Sequence, residues 1–426
     1  MKDVAALAGV GLSTVSRVVS ERGVVSATKV RAVESAIAQL GFRRNDFARN
    51  LRTGTAETIG VVVTRISDPF YSSLVSAIEE RAQQRDMLAL VASATDDARE
   101  AERIVGRLLG RRLDGLVIVV PEDADVSFLQ REIDDGLPLV FVDRPSPGLT
   151  ADEVVVDNRS GAAAGVAHLV AHGHHRIACF AHATGSYTAG ERIAGYRAGL
   201  EAAGIAADDD LIVTVDDDDP EACRNAVRAM DALREPPTAF LTTNSRTTKS
   251  LLTAAPALGG RALVGFDDFD TAPLMTPPTT TIAQDPAHIG EAAADLLFAR
   301  IDGLTGPVRR GTLGTRGGPR GSGEGAPPSR PPGAAHIVAR SWRSLLTAAP
   351  ALGGRALVGF DAFDTAPLMT PPTTTTAQDP AHIGGAAADL LFARIDGLTG
   401  PVRRVTLGTR VVPRGSGEVA PPSRTP

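Results

Sequence analysis

Leu12, Ser13, Ser16 and Arg17 share the outward side of a helical pattern over residues 12–20, while Val15, Val18 and Val19 face the other way. Short hydroxyls and an Arg near the start of a helix can reach base edges in the major groove of DNA. Thr14 joins them in the candidate contact set. A second group, His168, His172, His174 and His175, crowds one helix end, with His168 and His172 at the i, i+4 spacing that metal ligands use. No Cys, Asp or Glu completes that set at a diagnostic spacing, so no metal is expected. Asp208–Asp210 and Asp216–Asp219 lack the calcium-loop pattern and read as solvated loops. No glycine-rich dinucleotide loop follows the first strand, and no P-loop or nucleophile elbow occurs. The chemistry on offer is recognition, so neither enzyme activity nor a cofactor is expected.

Three short helices must position Ser13 and Arg17. Residues 3–8 place Val4, Leu7 and Ala8 on one side, and Gly9-Val10-Gly11 makes a turn into the helix over 12–20. A third helix starts at Ser26 as N-cap, turns Val30, Val33, Ile37 and Leu40 inward and stops at Gly41. Helix, short glycine-containing turn, helix is helix-turn-helix spacing. Residues 1–55 carry nine Lys/Arg against four acids, a net +5, whereas the remainder of the chain is −11. A basic module on an acidic body suits a polyanionic partner.

The 426 residues, 43% hydrophobic, suffice for two or three cores. Two cysteines, Cys179 and Cys223, exclude a disulfide scaffold. The first 30 residues contain no apolar signal core and no long apolar run follows, which argues against secretion and membrane spanning and points to the cytoplasm. From Ile59 onward, short apolar runs alternate with amphipathic segments: strands at 59–63, 88–92, 115–120, 137–142, 176–181, 211–215 and 239–242, helices at 70–85, 99–109, 160–172, 189–203 and 221–233. Strands apolar on both faces and separated by helices mean parallel sheets covered on both sides, with units enough for two doubly wound lobes. Ligands of such sheets sit at the C-terminal ends of strands, here the cleft between lobes.

Residues 250–330 then recur at 344–424 with an offset of 94 and 74 of 81 positions identical. The differences are Asp268/Ala362, Ile282/Thr376, Glu291/Gly385, Gly311/Val405, Gly317/Val411, Gly318/Val412 and Gly325/Val419. Two copies do not make a solenoid; a recent tandem duplication and an assembly error both account for them. Each copy offers a helix (250–258 or 344–352), a strand (261–266 or 355–360), a helix (286–301 or 380–395) and a terminal strand. Copy one follows the 239–242 strand by a short connection, so its closure entropy is lower. Its terminal strand is glycine-interrupted, which weakens it. Copy one is therefore expected to supply the helices and inner strand, and either copy the last strand. Residues 311–343, rich in Gly, Pro and Arg, read as a linker.

Asp3-Val-Ala-Ala-Leu-Ala-Gly-Val and Ser13-Thr-Val-Ser-Arg-Val closely resemble the head of the lactose-repressor/galactose-repressor (LacI/GalR) family. The body motifs Ile59-Gly-Val-Val-Val, Ile66-Ser-Asp-Pro-Phe, Arg112-Leu-Asp-Gly-Leu and Asp157-Asn are similar to that family's landmarks. So are Gly173-His-His-Arg-Ile, Glu191-Arg-Ile-Ala-Gly-Tyr, Val264-Gly-Phe-Asp-Asp and Thr281-Ile-Ala-Gln-Asp, all in the family's order over residues 2–330. The resemblance implies an N-terminal all-α helix-turn-helix head (1–43), a hinge (44–56) and an α/β two-lobe periplasmic-binding-protein-like body (57–310). The linker (311–343) and the near-duplicate (344–426) follow. It also implies a homodimer that binds double-stranded operator DNA and answers to a small-molecule effector, a sugar or related polyol. The runner-up, a solute-binding protein or ligand sensor of the same two-lobe fold, leaves the basic first 55 residues unexplained.

By the same matching, Asn45, Ala48, Arg49 and Leu51 fall in a hinge that becomes helical on DNA, with Leu51 as an apolar wedge into the minor groove. Arg192 matches the effector-binding Arg, Asn244 and Asp267 its polar partners, and Asp68 and Phe70 the contribution of the first lobe. A planar Arg fork, an amide and a carboxylate suit vicinal hydroxyls. Asp361 duplicates Asp267, so both are candidates. The chain departs from the family pattern at Gly11, Arg44 and Ser245, where Ser, Pro and Asp are customary.

Overall fold

The computed structural model describes residues 1–19, 24–42, 56–94, 97–121, 126–145, 148–182, 186–216, 219–254, 258–275, 278–317, 358–360, 374–397, 399 and 410–412. The head consists of α1 (Lys2–Ala8), α2 (Leu12–Val19) and α3 (Ala27–Leu40). Val4, Val15, Val33 and Ala36 form its core, flanked by Val10, Val18, Val19, Ile37 and Phe42. Gly9 and Gly41 end α1 and α3 at φ +62° and +58°, the left-handed conformation that glycine adopts without a Cβ penalty. Ser26 stands at the N-cap of α3, but its side chain makes no capping hydrogen bond.

The first lobe is built from β1 (Thr58–Val63), α4 (Pro69–Gln83), β2 (Leu88–Ser93), α5 (Ala98–Leu109), β3 (Gly115–Ile118), α6 (Ser127–Asp134), β4 (Leu139–Val142) and β5 (Asp152–Val156). The second contains α7 (Asn158–Ala171), β6 (Ile177–His182), α8 (Tyr187–Ala202), β7 (Ile212–Val215), α9 (Pro220–Asp231), β8 (Ala239–Thr242), α10 (Ser245–Ala254), β9 (Ala262–Phe266) and β10 (Thr280–Ala283). The chain then returns to the first lobe with α11 (Pro286–Ile301) and β11 (Arg310–Leu313), and crosses once more for β12 (Arg316–Gly317). Each lobe holds a six-stranded sheet, ordered β11-β5-β4-β3-β1-β2 and β12-β10-β9-β8-β6-β7. All pairings in both are parallel except that of β12 with β10.

Strand alternation divides the burial between two helical layers. Ile59, Val61 and Val63 of β1 pack with Leu74 and Ile78 of α4 and with Leu297 and Phe298 of α11, whereas Val62 packs under Val105 and Leu129 from α5 and α6. The second lobe repeats the plan, with Val166 and Tyr196 on one face and Val227 and Leu251 on the other. Two glycines set the closest helix approaches. A Cβ on Gly195 of α8 would lie 2.2 Å from the Arg159 carbonyl oxygen of α7, and one on Gly290 of α11 would lie 2.4 Å from that of Leu74 in α4.

Several expectations need correction. α6, β5 and β10 were not expected from the sequence, and the helix placed at 250–258 runs Ser245–Ala254. Copy one supplies both closing strands despite its glycines: β11 pairs with β5 along Arg310↔Glu153 to Leu313↔Val156, and Arg310 Nε donates to Glu153 Oε2 at 2.6 Å. Residues 311–317 therefore belong to the body and not to the linker assigned over 311–343. Copy two forms β13 (Val358–Phe360), β14 (Thr374–Ala377), α12 (Pro380–Ile395) and β15 (Arg410–Val412), in a separate three-stranded sheet.

Candidate functional site

On α2, Leu12, Ser13 and Arg17 are exposed, Thr14 and Ser16 are half-buried, and Val15 is buried. Arg17 Nε donates to the Ser13 carbonyl at 3.3 Å, which lays the guanidinium along the outer face of the helix. The hinge candidates Asn45, Ala48, Arg49 and Leu51, like Asp361, lie outside the described residues.

Between the lobes lies a cavity of about 190 Å³, bordered by the C-terminal ends of strands and the N-termini of helices from both sheets. Asp68 caps α4, accepting from Phe70 N at 2.9 Å, and Pro69 at the first helical position presets the turn. Asn244 uses Oδ1 to accept from Thr247 N at 2.7 Å at the start of α10, while its Nδ2 faces His182 Nδ1 at 3.4 Å. Ser186 caps α8, six residues before Arg192, through Ala189 N, and its hydroxyl meets His182 Nε2 at 2.6 Å. Asp68 and Asn244 thus serve twice, starting a helix and lining the cleft.

Arg192 is 4% exposed, and four groups hold its guanidinium. Nε donates to Asn158 Oδ1 at 2.8 Å, and one terminal nitrogen donates to the Thr243 carbonyl at 2.5 Å and to Asp267 Oδ2 at 3.2 Å. The Phe266 ring lies 3.8 Å from the guanidinium carbon, a cation–π contact in a dry setting. Gln284 Nε2 donates to the other oxygen of Asp267. Asp267 is the first residue after β9, and Asp143 is its counterpart after β4; they sit at φ +65° and +66°, a conformation that Asp tolerates better than most residues.

Tyr71 donates its hydroxyl to Asp143 Oδ2 at 3.0 Å. Burial pushes the Asp143 carboxyl above its ordinary range, against the pull of Arg144 and Arg192. Burial likewise raises Asp68, which the Phe70 amide opposes and Asp267 reinforces. Desolvation raises the pKa of Tyr71 as well. A second cavity of about 390 Å³ shares Phe70, Asp267 and Gln284 with the first and adds Pro69, Phe269 and Pro286.

All five effector candidates among the described residues, Asp68, Phe70, Arg192, Asn244 and Asp267, line the first cavity. Tyr71, Asp143, His182, Thr188 and Gln284 line it too and were missed. Asp143 carries a readable signal, an apolar strand run ending in Asp, as at Phe266-Asp267. The histidines have structural uses: His172 Nδ1 meets the His168 carbonyl at 2.8 Å, and His174 Nδ1 meets Thr238 Oγ1 at 3.0 Å. Among the described residues no group of three or more His, Cys, Asp or Glu could hold a metal ion. Of the acidic runs, Asp208 pairs with Arg176 at 3.2 Å, Asp209 pairs with Arg197 at 2.8 Å, Asp219 caps α9, and Asp216 borders the cavity.

A helix-turn-helix head joined to a two-lobe body with a polar inter-lobe cleft defines a ligand-responsive DNA-binding regulator. Residues 1–45 match the family described as bacterial regulatory proteins, lacI family. Residues 56–315 match the periplasmic binding proteins and sugar binding domain of LacI family, and residues 353–417 match a periplasmic binding protein-like domain. The chain belongs to the LacI family and is a DNA-binding transcriptional regulator, not an enzyme. It is 31% identical to the ribose operon repressor of Escherichia coli K12 over 306 residues, covering 71% of this chain and 92% of that one. It is 28% identical to the transcriptional repressor PurR of Photobacterium profundum over 311 residues, covering 71% and 91%. The Lac repressor dimer bound to operator and an anti-inducer superposes with TM-score 0.65 at 28% identity, covering 74% of this chain and 95% of that one. A CelR–cellobiose complex superposes with TM-score 0.55 at 30% identity, covering 74% and 97%.

Proposed function

We propose that this regulator is a cytoplasmic repressor that binds a pseudo-palindromic operator as a homodimer and changes its grip when a polyhydroxylated effector closes the two lobes. Leu12, Ser13, Thr14, Ser16 and Arg17 read the major groove, and Asn45, Ala48, Arg49 and Leu51 form the hinge whose Leu51 wedges the minor groove. Arg192, Asn244 and Asp267 hold the effector from the second lobe, and Asp68 and Phe70 hold it from the first. Asp267, not its duplicate Asp361, has this role.

The observation that carries the reading is Arg192 itself. A guanidinium already fixed by Asn158, the Thr243 carbonyl and Asp267 presents its free edge without further ordering cost. Gln284 borders the same cavity, and its Nε2 donates to Asp267 and so fixes the carboxylate beside Arg192. The kinship to a ribose repressor and to a cellobiose-bound regulator supports a sugar or polyol. By linkage, effector and operator must alter each other's affinity by the same factor. The test is footprinting on the protein's own promoter with and without a panel of aldoses and polyols. Protection confined to one dyad and changed by one panel member is expected; equal, weak protection of every duplex would refute the reading.

A further inference from the structure

Copy two repeats copy one in three dimensions, and what it leaves uncovered shows what it fits. Its strands pair in the register of β9, β10 and β12 moved by 94 residues: Val264↔Thr280 becomes Val358↔Thr374, and Ile282↔Gly317 becomes Thr376↔Val411. Helix α12 differs from α11 only at Gly385, and Asp379 caps it through His382 N at 3.0 Å, as Asp285 caps α11 through His288 N. The burial is opposite. Leu297 and Phe298 of α11 are 0% and 3% exposed against α4 and the first sheet, whereas Leu391 and Phe392 of α12 are 58% and 59% exposed.

Apart from Glu291, which becomes Gly385, the groups that seat α11 recur in α12. Gly290, which lets α11 touch the Leu74 carbonyl, is Gly384. Arg300, which donates to both oxygens of Asp152, is Arg394. Asp302, which pairs with Arg85, is Asp396, and Asp295, 3.7 Å from Arg81, is Asp389. We infer that the groove between α4 and the first sheet is the surface that the apolar face of α12 fits. The two copies are interchangeable closing segments, and α12 with its strands can replace α11 with β9–β12 in the same chain. Exchange within one chain adds only a loop-closure cost that grows slowly with length. Exchange between chains leaves as many helices uncovered and adds a cost of association.

The differences between the copies pull in both directions. Ile282, 1% exposed in the second lobe's core, becomes Thr376, which would bury a hydroxyl among apolar side chains. Gly385 loses the contact of Glu291 with Arg81, and Ala362 loses the bond between Asp268 and Thr281. These favour copy one, the arrangement observed. Against them, Val405, Val411 and Val412 stand where copy one has Gly311, Gly317 and Gly318, and valine suits strands better. A Cβ at Gly311 meets only the Glu153 carbonyl oxygen, at 3.8 Å, so a larger residue fits there. Asp361 and Gln378 duplicate Asp267 and Gln284, so the chemical groups of the cleft survive the exchange.

Cross-linking of the full-length chain reads the two arrangements directly. Arg85→Cys with Asp302→Cys reports copy one in the groove, and Arg85→Cys with Asp396→Cys reports copy two; the native Cys179 and Cys223 are buried. With a short bis-maleimide, the first pair is expected to cross-link in most molecules and the second, within single chains, in a minor fraction. Leu297→Ala should raise the ratio of second to first product by on the order of 100-fold, the effect of truncating a buried leucine in one copy only. Either Leu297→Ala or Leu391→Ala alone should keep a cooperative melt of the body, and the double variant should lose it. Three results would overturn the inference: no intrachain 85–396 product in either background, that product only between chains, or a Leu297→Ala chain as unfolded as the double variant.

Discussion

Asp143 and Asp267 hold equivalent places in the two lobes. Each is the first residue beyond a central strand, each is left-handed, at φ +66° and +65°, and each borders the same cavity. Their surroundings separate them. Asp267 is paired with Arg192 and accepts a hydrogen bond from Gln284, while Asp143 is buried beside the Tyr71 hydroxyl with its carboxyl raised. Each lobe therefore contributes one carboxyl from the C-terminal end of the corresponding strand, and the neighbouring side chains set its surroundings.

Asp143 should make stability depend on pH in a direction that can be stated. Its folded pKa lies above the unfolded value, so the folded state binds more protons between the two, and its contribution declines as pH rises from about 3.9 through the folded value. Asp143→Asn mimics the protonated form and suits the left-handed backbone. The variant should melt at or above the wild-type temperature at pH 7, with the advantage shrinking toward pH 4. Parallel melting curves at every pH would contradict this.

Arg192→Ala removes the group that neutralises Asp267 and satisfies Asn158 and the Thr243 carbonyl. Loss of about 3–5 kcal/mol of stability is expected for breaking a buried pair from one side. Calorimetry with the active ligand should show no binding, while footprinting retains the operator. A normal ligand response in this variant would remove Arg192 from the site.

Gly195→Ala tests how closely α7 and α8 must approach. The added methyl meets the Arg159 carbonyl, next to Asn158, which orients Arg192. A cost of about 1–3 kcal/mol by overpacking is expected in denaturant melts, together with weaker ligand binding. Wild-type stability would mean that the helices separate freely.

In the head, Arg17→Ala and Val15→Ala should fail differently. Arg17 is exposed, so its loss should lower operator affinity with little change in the head's melting. Val15 is fully buried in a small core, so its truncation should melt the head and abolish specific binding. Amide exchange of α1–α3 separates the two outcomes.

Periodicity made most of the helices and most of the parallel strands legible, because a strand buried on both faces reads as an uninterrupted apolar run. β8 (Ala239–Thr242) and α11 lie where the sequence placed them. β5, Asp152-Glu-Val-Val-Val, opens with two charged residues and was missed, because its reason for burial is remote: Arg300 and Arg310 neutralise Asp152 and Glu153 across about 150 positions. Burial alone would raise Asp152, but the Arg300 and Arg309 hydrogen bonds hold its carboxyl below the ordinary range. No local pattern announces such a partner.

By itself the sequence determined the basic head, the two-lobe body and five of the residues that border the cleft, because each rests on local spacing or on motifs in order. Which of two nearly identical segments supplies the closing strands, and that Asp143, Tyr71, His182 and Gln284 meet Arg192 and Asp267 in one cavity, only the tertiary structure decided. Both depend on groups far apart in the chain, and identical side chains are told apart only by what packs against them.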